Sequence, residues 1–347
     1  MGAPAARDQL IRAASKQIIH FDMNVTLPRR VLSSICRILY PNPHLGPVRS
    51  LPERLKRKFL SLLFGMFYPG EHVTFLRFRG LGYVLHTYGH TDIVSHLIWN
   101  GGIWEPAVAE LIYDLCAKPH TTFVDIGSNL GTHTCIARLA GAKQIYAFEC
   151  NPATHAKLES TVGMNGWTNV KAIRMAVSDR EATLPFAIVT NNIGASFITT
   201  THREGSDPIL PLQEGVRAAP LDSVAMDLSG TESMVVKMDV EGHELQALRG
   251  MNRLLSDSRC RHVIIELNPG CLQQDAIQDI LALLESHLFS EYRLIFHVPG
   301  DEWCGAEMGR LPAFPRMTRQ DILDSFSRQT IMEVLFSRQE AAAGRGK

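Results

Sequence analysis

The chain has no surplus of charge: 35 Lys and Arg stand against 35 Asp and Glu over 347 residues. A neutral molecule offers no global field for a polyanion, so nucleic acid is not an expected partner. CxxC pairs are absent too, and the seven cysteines at 36, 116, 135, 150, 260, 271 and 304 lack metal-like spacing. An odd, dispersed set reads as reduced thiols, with no disulfide framework or zinc knuckle. Long apolar runs are missing. The most apolar early stretch, Phe59 to Tyr68, is about half the ~20 residues that a spanning helix needs. No signal-peptide pattern is expected, because Arg7, Arg12 and Lys16 interrupt the first apolar residues, which points to a cytoplasmic protein. Finally, no GxGxxG occurs, so the dinucleotide fingerprint is not met.

What is present fits a globular chain, with 45% hydrophobic and 20% charged residues,. Its length suggests one catalytic domain of about 200–250 residues with an appendage. Residues 1–70 read as a basic, partly helical extension, holding eleven Lys and Arg against three Asp and Glu. Within it, Arg54 to Lys58 runs straight into apolar Phe59 to Phe64. Residues 54–68 are therefore a candidate for peripheral membrane or protein contact, or else a helix packed on the main domain with a solvated flank. Residues 71–118 read as lead-in strands and a helix, and 119–338 as the main domain. An insertion at 180–220 and a disordered tail at 339–347 complete the division.

Alternation over 72–78 and 83–88 predicts two strands turning at Gly80-Leu81-Gly82. Trp104-Glu105-Pro106 opens a helix with Val108, Leu111, Ile112 and Leu115 as its buried stripe. Strands at 122–126, 144–148 and 170–177 then alternate with helices at 131–139 and 152–164. After the insertion come strand 234–239, helix 242–255, strand 262–266, helix 275–288, and strands at 292–297 and 331–336. Such alternation implies a parallel sheet with right-handed crossovers.

The chain is organised around Phe123-Val-Asp125-Ile-Gly127-Ser-Asn129-Leu-Gly131. Strand, glycine turn and helix together make a nucleotide-type site at a sheet edge. An Asp before the first glycine would repel a diphosphate and suit a cofactor with an ammonium and a sulfonium. Glu149, at the next strand end, can accept hydrogen bonds from ribose hydroxyls. S-adenosylmethionine fits both features, whereas NAD fits only the second.

Lys237-Met-Asp239-Val-Glu241-Gly-His243-Glu244 is the other dense stretch. Lys237 and Asp239 project to one side of a strand, and Glu241 and Glu244 occupy a helix start, where negative charge is favoured. Methyl transfer to a hydroxyl benefits from a positioned base. Asp239 and Glu241 are expected to line the acceptor pocket, while His243 is a base or a bystander. Asp239, Glu241 and Glu266 could share one hard divalent cation, but no ligand spacing demands it and no metal is assigned.

Taken in order, Asp125 to Gly131, Ala147-Phe148-Glu149, Ala176 to Asp179, Leu221-Asp222-Ser223 and Lys237 to Glu244 resemble the blocks of FkbM-type methyltransferases. The likeness covers roughly residues 75–336. It implies a class I, Rossmann-like α/β fold: seven mostly parallel strands with helices on both faces and the last strand antiparallel. The implied activity is O-methylation of a hydroxyl on a sugar or other small metabolite. By that likeness Asp125, Gly127, Asn129 and Gly131 hold the methionyl part, Glu149 the ribose and Asp179 the adenine edge. Ser128 and His243 stand where the family often has small residues. A non-catalytic binding module on the same fold and a nicotinamide-dependent oxidoreductase are the competing readings.

Overall fold

The structure, a computed structural model, describes residues 72–88, 92–99, 102–200, 208–298 and 314–339. The basic extension, its 54–68 stretch and the tail beyond 339 lie outside the described residues.

Strands β1 (His72–Phe78) and β2 (Leu81–Thr87) pair antiparallel from His72↔Thr87 to Phe78↔Leu81. The turn is Arg79-Gly80, with φ of 45° and 83°, because a two-residue hairpin turn that matches strand twist needs positive φ at both places. The expected turn at Gly80–Gly82 is thus corrected. Gly82 stays in β2, where the space of its missing side chain is taken by the Phe75 ring. The hairpin packs Leu76, Phe78, Tyr83 and Leu85 into a core shared with helix α2 (Pro106–Cys116), which follows the short α1 (Ile93–Trp99).

Strand β3 (Thr121–Ile126) is buried at every position, as expected of a parallel strand covered on both faces. Helix α3 (Thr132–Ala140), β4 (Gln144–Phe148), α4 (Pro152–Met164) and β5 (Val170–Ile173) follow. The single strand expected over 170–177 is two. After β5 the chain leaves the main sheet, and β6 (Ala176–Val177) joins β7 (Ala182–Val189), β8 (Phe197–Ile198) and β9 (Ile209–Ala219). These form a four-stranded sheet in the order β6-β9-β7-β8, which is what the 180–220 insertion builds.

Strand β10 (Ser233–Met238) returns to the main sheet. The helix expected over 242–255 is broken into α5 (Glu244–Arg249) and α6 (Asn252–Ser256). The break falls at Gly250, where any side chain would collide with the Ser178 carbonyl. Then come β11 (Cys260–Leu267), α7 (Gln274–Ser286), β12 (Phe289–Val298), β13 (Arg316–Met317), α8 (Arg319–Ser327) and β14 (Ile331–Arg338).

The main sheet runs β13-β12-β14-β11-β10-β3-β4-β5. It has eight strands where seven were expected, the extra one being the two-residue β13 at the edge. Neighbours from β11 to β5 are parallel, and β14 is antiparallel to both β11 and β12. Apolar layers cover both faces: Leu248, Ile280 and Phe336 lie in one, Ile112, Cys135 and Ile264 in the other. Connections leave β3 toward β4 on one side, while β10 lies on the other. The crevice between the β3 and β10 tips is therefore a topological switch point, where open α/β sheets bind ligands.

Candidate active site

Past Ile126 the chain turns through Gly127, Asn129 and Gly131, with φ of 78°, 49° and 86°. Gly127 has no alternative, since a Cβ there would run into the Asp239 carbonyl oxygen. The turn is pinned to β4, because the Gly127 and Ser128 N–H groups donate to the Phe148 carbonyl at 3.0 and 2.9 Å. It is pinned to β10 as well, where the Asp239 N–H donates to Ile126 O at 3.0 Å.

Glu149 clamps the same turn from its own strand end. One carboxylate oxygen accepts from Asn129 N–H at 2.9 Å and the other from Asn151 N–H at 2.7 Å. Burial pushes this carboxyl up to about 7, against the pull of those two donors. Below the turn, Asp125 is buried; its Oδ2 accepts from the Thr134 hydroxyl at 2.6 Å, and Oδ1 has no hydrogen-bond partner. Burial raises Asp125 to about 6.

Two cavities open over these strand tips. The first is lined by polar Asn129, Glu149 and Asn151 and by apolar Phe148, Met175, Val177, Phe186 and Phe197, among others. Phe186 and Phe197 come from the small sheet. The second is lined by Trp104, Glu105, Glu266 and Asn268 among others. Asn129, Gly194, Asp239 and Glu241 face both. No Lys or Arg lines either cavity among the described residues.

Of the residues singled out from the sequence, Gly127, Asn129, Glu149, Asp239, Glu241 and His243 line the first cavity. Asp125 and Gly131 lie outside both linings, as does Lys237, which is 2% exposed and sits 2.8 Å from Asp239 Oδ2. Burial opposes the Lys237 charge, but Asp239, Glu105 and Glu333 hold its pKa well above the ordinary value. Asp179 faces neither cavity; its carboxylate accepts from the Ser178 hydroxyl at 3.3 Å and from Arg180 at 3.4 Å.

Glu241 holds a left-handed backbone, φ 51°, and its Oε2 accepts from Cys271 Sγ at 3.4 Å. Glu244 supports that loop instead of facing a cavity: its Oε1 accepts from Val240 N–H at 3.3 Å and Gly242 N–H at 3.2 Å. His243 faces the first cavity only. Its Nε2 lies 3.0 Å from Ser178 Oγ, and burial pulls its pKa down to about 4.

Three positions at or beside the cavities escaped the sequence reading. Buried Asp92 accepts from Ser95 N–H and Oγ at 2.9 and 2.7 Å, and from Ile193 N–H at 3.0 Å. It thereby ties the 192–195 loop, which borders both cavities, to the start of α1. An Asp directly ahead of an apolar helical run was the available signal. Glu105 was read only as part of a helix opening, and Glu333 only as a strand residue.

Residues 125–291 match the family model described as Methyltransferase FkbM domain. The hexuronic acid methyltransferase AglP of Haloferax volcanii is 31% identical over 151 residues, 44% of this chain and 57% of that protein. The chain therefore spans little more than half the length of this relative. Precorrin-6y C5,15-methyltransferase from Geobacter metallireducens GS-15 aligns at 11% identity over 67% of this chain and 88% of its own, TM-score 0.35. M. jannaschii TYW2 in complex with AdoMet aligns at 13% over 78% and 89%, TM-score 0.33. At such scores the structural matches carry no argument, and the fold rests on the strand order. Over residues 125–291, just under half of the chain, the similarity is to the FkbM methyltransferase domain.

Proposed function

We propose that the protein is an S-adenosylmethionine-dependent methyltransferase that O-methylates a hydroxyl of a sugar or other small metabolite. The observation that carries this reading is the pair of cavities meeting at Asn129, Gly194, Asp239 and Glu241. One cavity suits the donor and the other the acceptor, with the reacting atoms at the common wall.

The residues of the first cavity fit the donor. Its apolar lining suits a flat base, and Glu149 keeps lone pairs free for ribose hydroxyls beyond the two backbone donors it already serves. A lining without Lys or Arg is poor for the diphosphate of a nicotinamide dinucleotide and favourable for a sulfonium. Bound there, S-adenosylmethionine supplies an electrophilic methyl group on positively charged sulfur. The chain's share is positioning and proton removal. The wall would place the acceptor hydroxyl beside the transferable methyl group, and such positioning is worth several orders of magnitude in rate. Asp239 or Glu241 would take the hydroxyl proton of the acceptor as its oxygen gains the methyl group. Lys237, 2.8 Å away, holds the Asp239 carboxylate in place. The relative named for hexuronic acid methylation supports a sugar acceptor. Contact with a membrane or protein through 54–68 remains part of the proposal; among the described residues no helix is long and apolar enough to cross a membrane.

Calorimetric titration with S-adenosylmethionine and S-adenosylhomocysteine tests the reading first. Saturable binding of both is expected, and binding of neither removes the proposal. Mass spectrometry of sugars and metabolite extract incubated with labelled donor then identifies the acceptor. If Asp239→Ala and Glu241→Ala both retain full transfer, the assignment of the acceptor wall is wrong.

A further inference from the structure

Beside the second cavity, which Glu105 and Glu266 help to line, three acids meet that are remote in sequence. Glu105 precedes α2, Glu266 ends β11, and Glu333 lies on β14, directly opposite Glu266 in the antiparallel register. Like charges opposite one another on paired strands repel. One carboxylate oxygen from each lies within 4.8 Å of the others. Oxygens on opposite sides of a hard divalent ion stand about 4 to 5 Å apart, so one ion can bridge this set.

A second observation concerns Glu333 itself. It is 2% exposed, and neither of its oxygens has a hydrogen-bond partner. Buried carboxylates are ordinarily hydrogen-bonded or paired. The Lys237 ammonium is 3.9 Å from Glu333 Oε1 and is already engaged by Asp239 at 2.8 Å. Glu105 Oε2 also lacks a hydrogen-bond partner, and His133, 3.4 Å away, is kept neutral by burial. Asp239, Glu105 and Glu333 thus share the one Lys237 ammonium, so the three glutamates outnumber the cations that face them.

The geometry points to a site for one hard divalent cation (magnesium, manganese or calcium) held by Glu105, Glu266 and Glu333. An all-carboxylate set selects hard ions over soft ones. The sequence suggested Asp239, Glu241 and Glu266 for such a role; only Glu266 of these belongs to the set the fold assembles. Glu105 and Glu266 also line the second cavity, so the ion would face the acceptor and polarise its hydroxyl. That last role rests on the proposed function; binding of the ion does not.

The test uses the full chain, stripped with chelator and dialysed, with neither donor nor acceptor present. Manganese is titrated in and the free ion followed by electron paramagnetic resonance. One saturable site per chain is expected. Glu333→Gln and Glu105→Gln should each weaken binding at least about tenfold, as even loss of outer-shell support does in metal sites. Glu159→Gln, on an exposed side chain, should leave it unchanged. Thermal midpoints of the metal-free variants establish that they fold, and Glu105→Gln carries the test if Glu333→Gln does not. Absence of saturable binding, or equal affinity in the folded carboxamide variants, overturns the site. Calorimetry with S-adenosylmethionine on the same samples separates the two ideas. Donor binding absent with manganese binding intact would sink the methyltransferase reading alone, and the reverse result would sink the ion site alone.

Discussion

Gly127 and Asp239 meet backbone against backbone, with no space for a side chain at Gly127 beneath the Asp239 carbonyl. The turn that shapes the first cavity and the strand tip that faces both cavities are thus one mechanical unit. Gly127→Ala adds a collision with backbone to a left-handed conformation, φ 78°, that alanine rarely adopts. The expected cost is about 3 kcal/mol or more, combining backbone strain with displacement of β10. Urea denaturation measures the loss of stability, and calorimetry should show donor binding abolished. Unchanged stability would mean that the two strand tips move independently.

Glu149 is expected to resist even its closest replacement. Its two oxygens accept from two separate backbone donors, Asn129 N–H and Asn151 N–H. Glutamine has one oxygen, so Glu149→Gln leaves one N–H facing an amide NH2, at a cost of about 1–3 kcal/mol. Donor affinity should fall by about tenfold or more. The wild-type carboxyl, pushed up to about 7 by burial, must be ionised to serve both donors. Wild-type affinity should therefore weaken as pH drops below 7, and that limb should vanish in Glu149→Gln. A lower limb from Asp125, raised to about 6, should persist. Titrations at pH 5.5, 6.5 and 8 decide it.

Most of this site was legible because it is local. Asp125 to Gly131 and Lys237 to Glu244 each hold their chemistry within eight or fewer consecutive residues, and strand-end acids in a parallel sheet share one edge. Glu333 was not legible, since it meets Glu266 only through the β11–β14 register, which no local pattern encodes. The first hairpin failed for a different reason. Two glycines offered two turns, and the choice of Gly80 over Gly82 depends on where the Phe75 ring lies. The breaks after Ile173 and at Gly250 likewise follow from the small sheet and from Ser178, both contacts made across the fold.

Lys237 should matter more at high pH than at low. Removing one partner of a buried ion pair costs about 3–5 kcal/mol, so Lys237→Met is expected to destabilise the chain by that order at pH 8. Burial holds Glu105 at about 7 and Glu266 and Glu333 well above their usual range. In the folded state these acids keep protons that the unfolded chain has released. Stability is therefore lost as pH rises through their folded values. Below about 6.5, buried His133, His243 and His262, all with lowered pKa, act in the opposite sense. The net downward slope should appear between about pH 6.5 and 8 and be steeper in Lys237→Met, whose acids have lost their ammonium. Chemical denaturation of the metal-free protein across that range checks the sign.

The last prediction separates His243 from Asp239 as proton acceptor. A base works best with a pKa near the operating pH. His243 is pulled down to about 4, contacts Ser178 Oγ at 3.0 Å and faces the first cavity alone. Asp239 faces both cavities and is held 2.8 Å from Lys237. Once an acceptor is in hand, His243→Gln should keep kcat within about threefold and leave its pH profile between 5.5 and 8.5 unmoved. Asp239→Asn should lower kcat by about 10²- to 10⁴-fold, the usual range for a general base, with a much smaller change in donor Kd. A large loss in His243→Gln together with a displaced acid limb would reverse the two roles. The proton would then leave through the first cavity and Ser178, and the acceptor hydroxyl would have to lie on the donor's side of the shared wall.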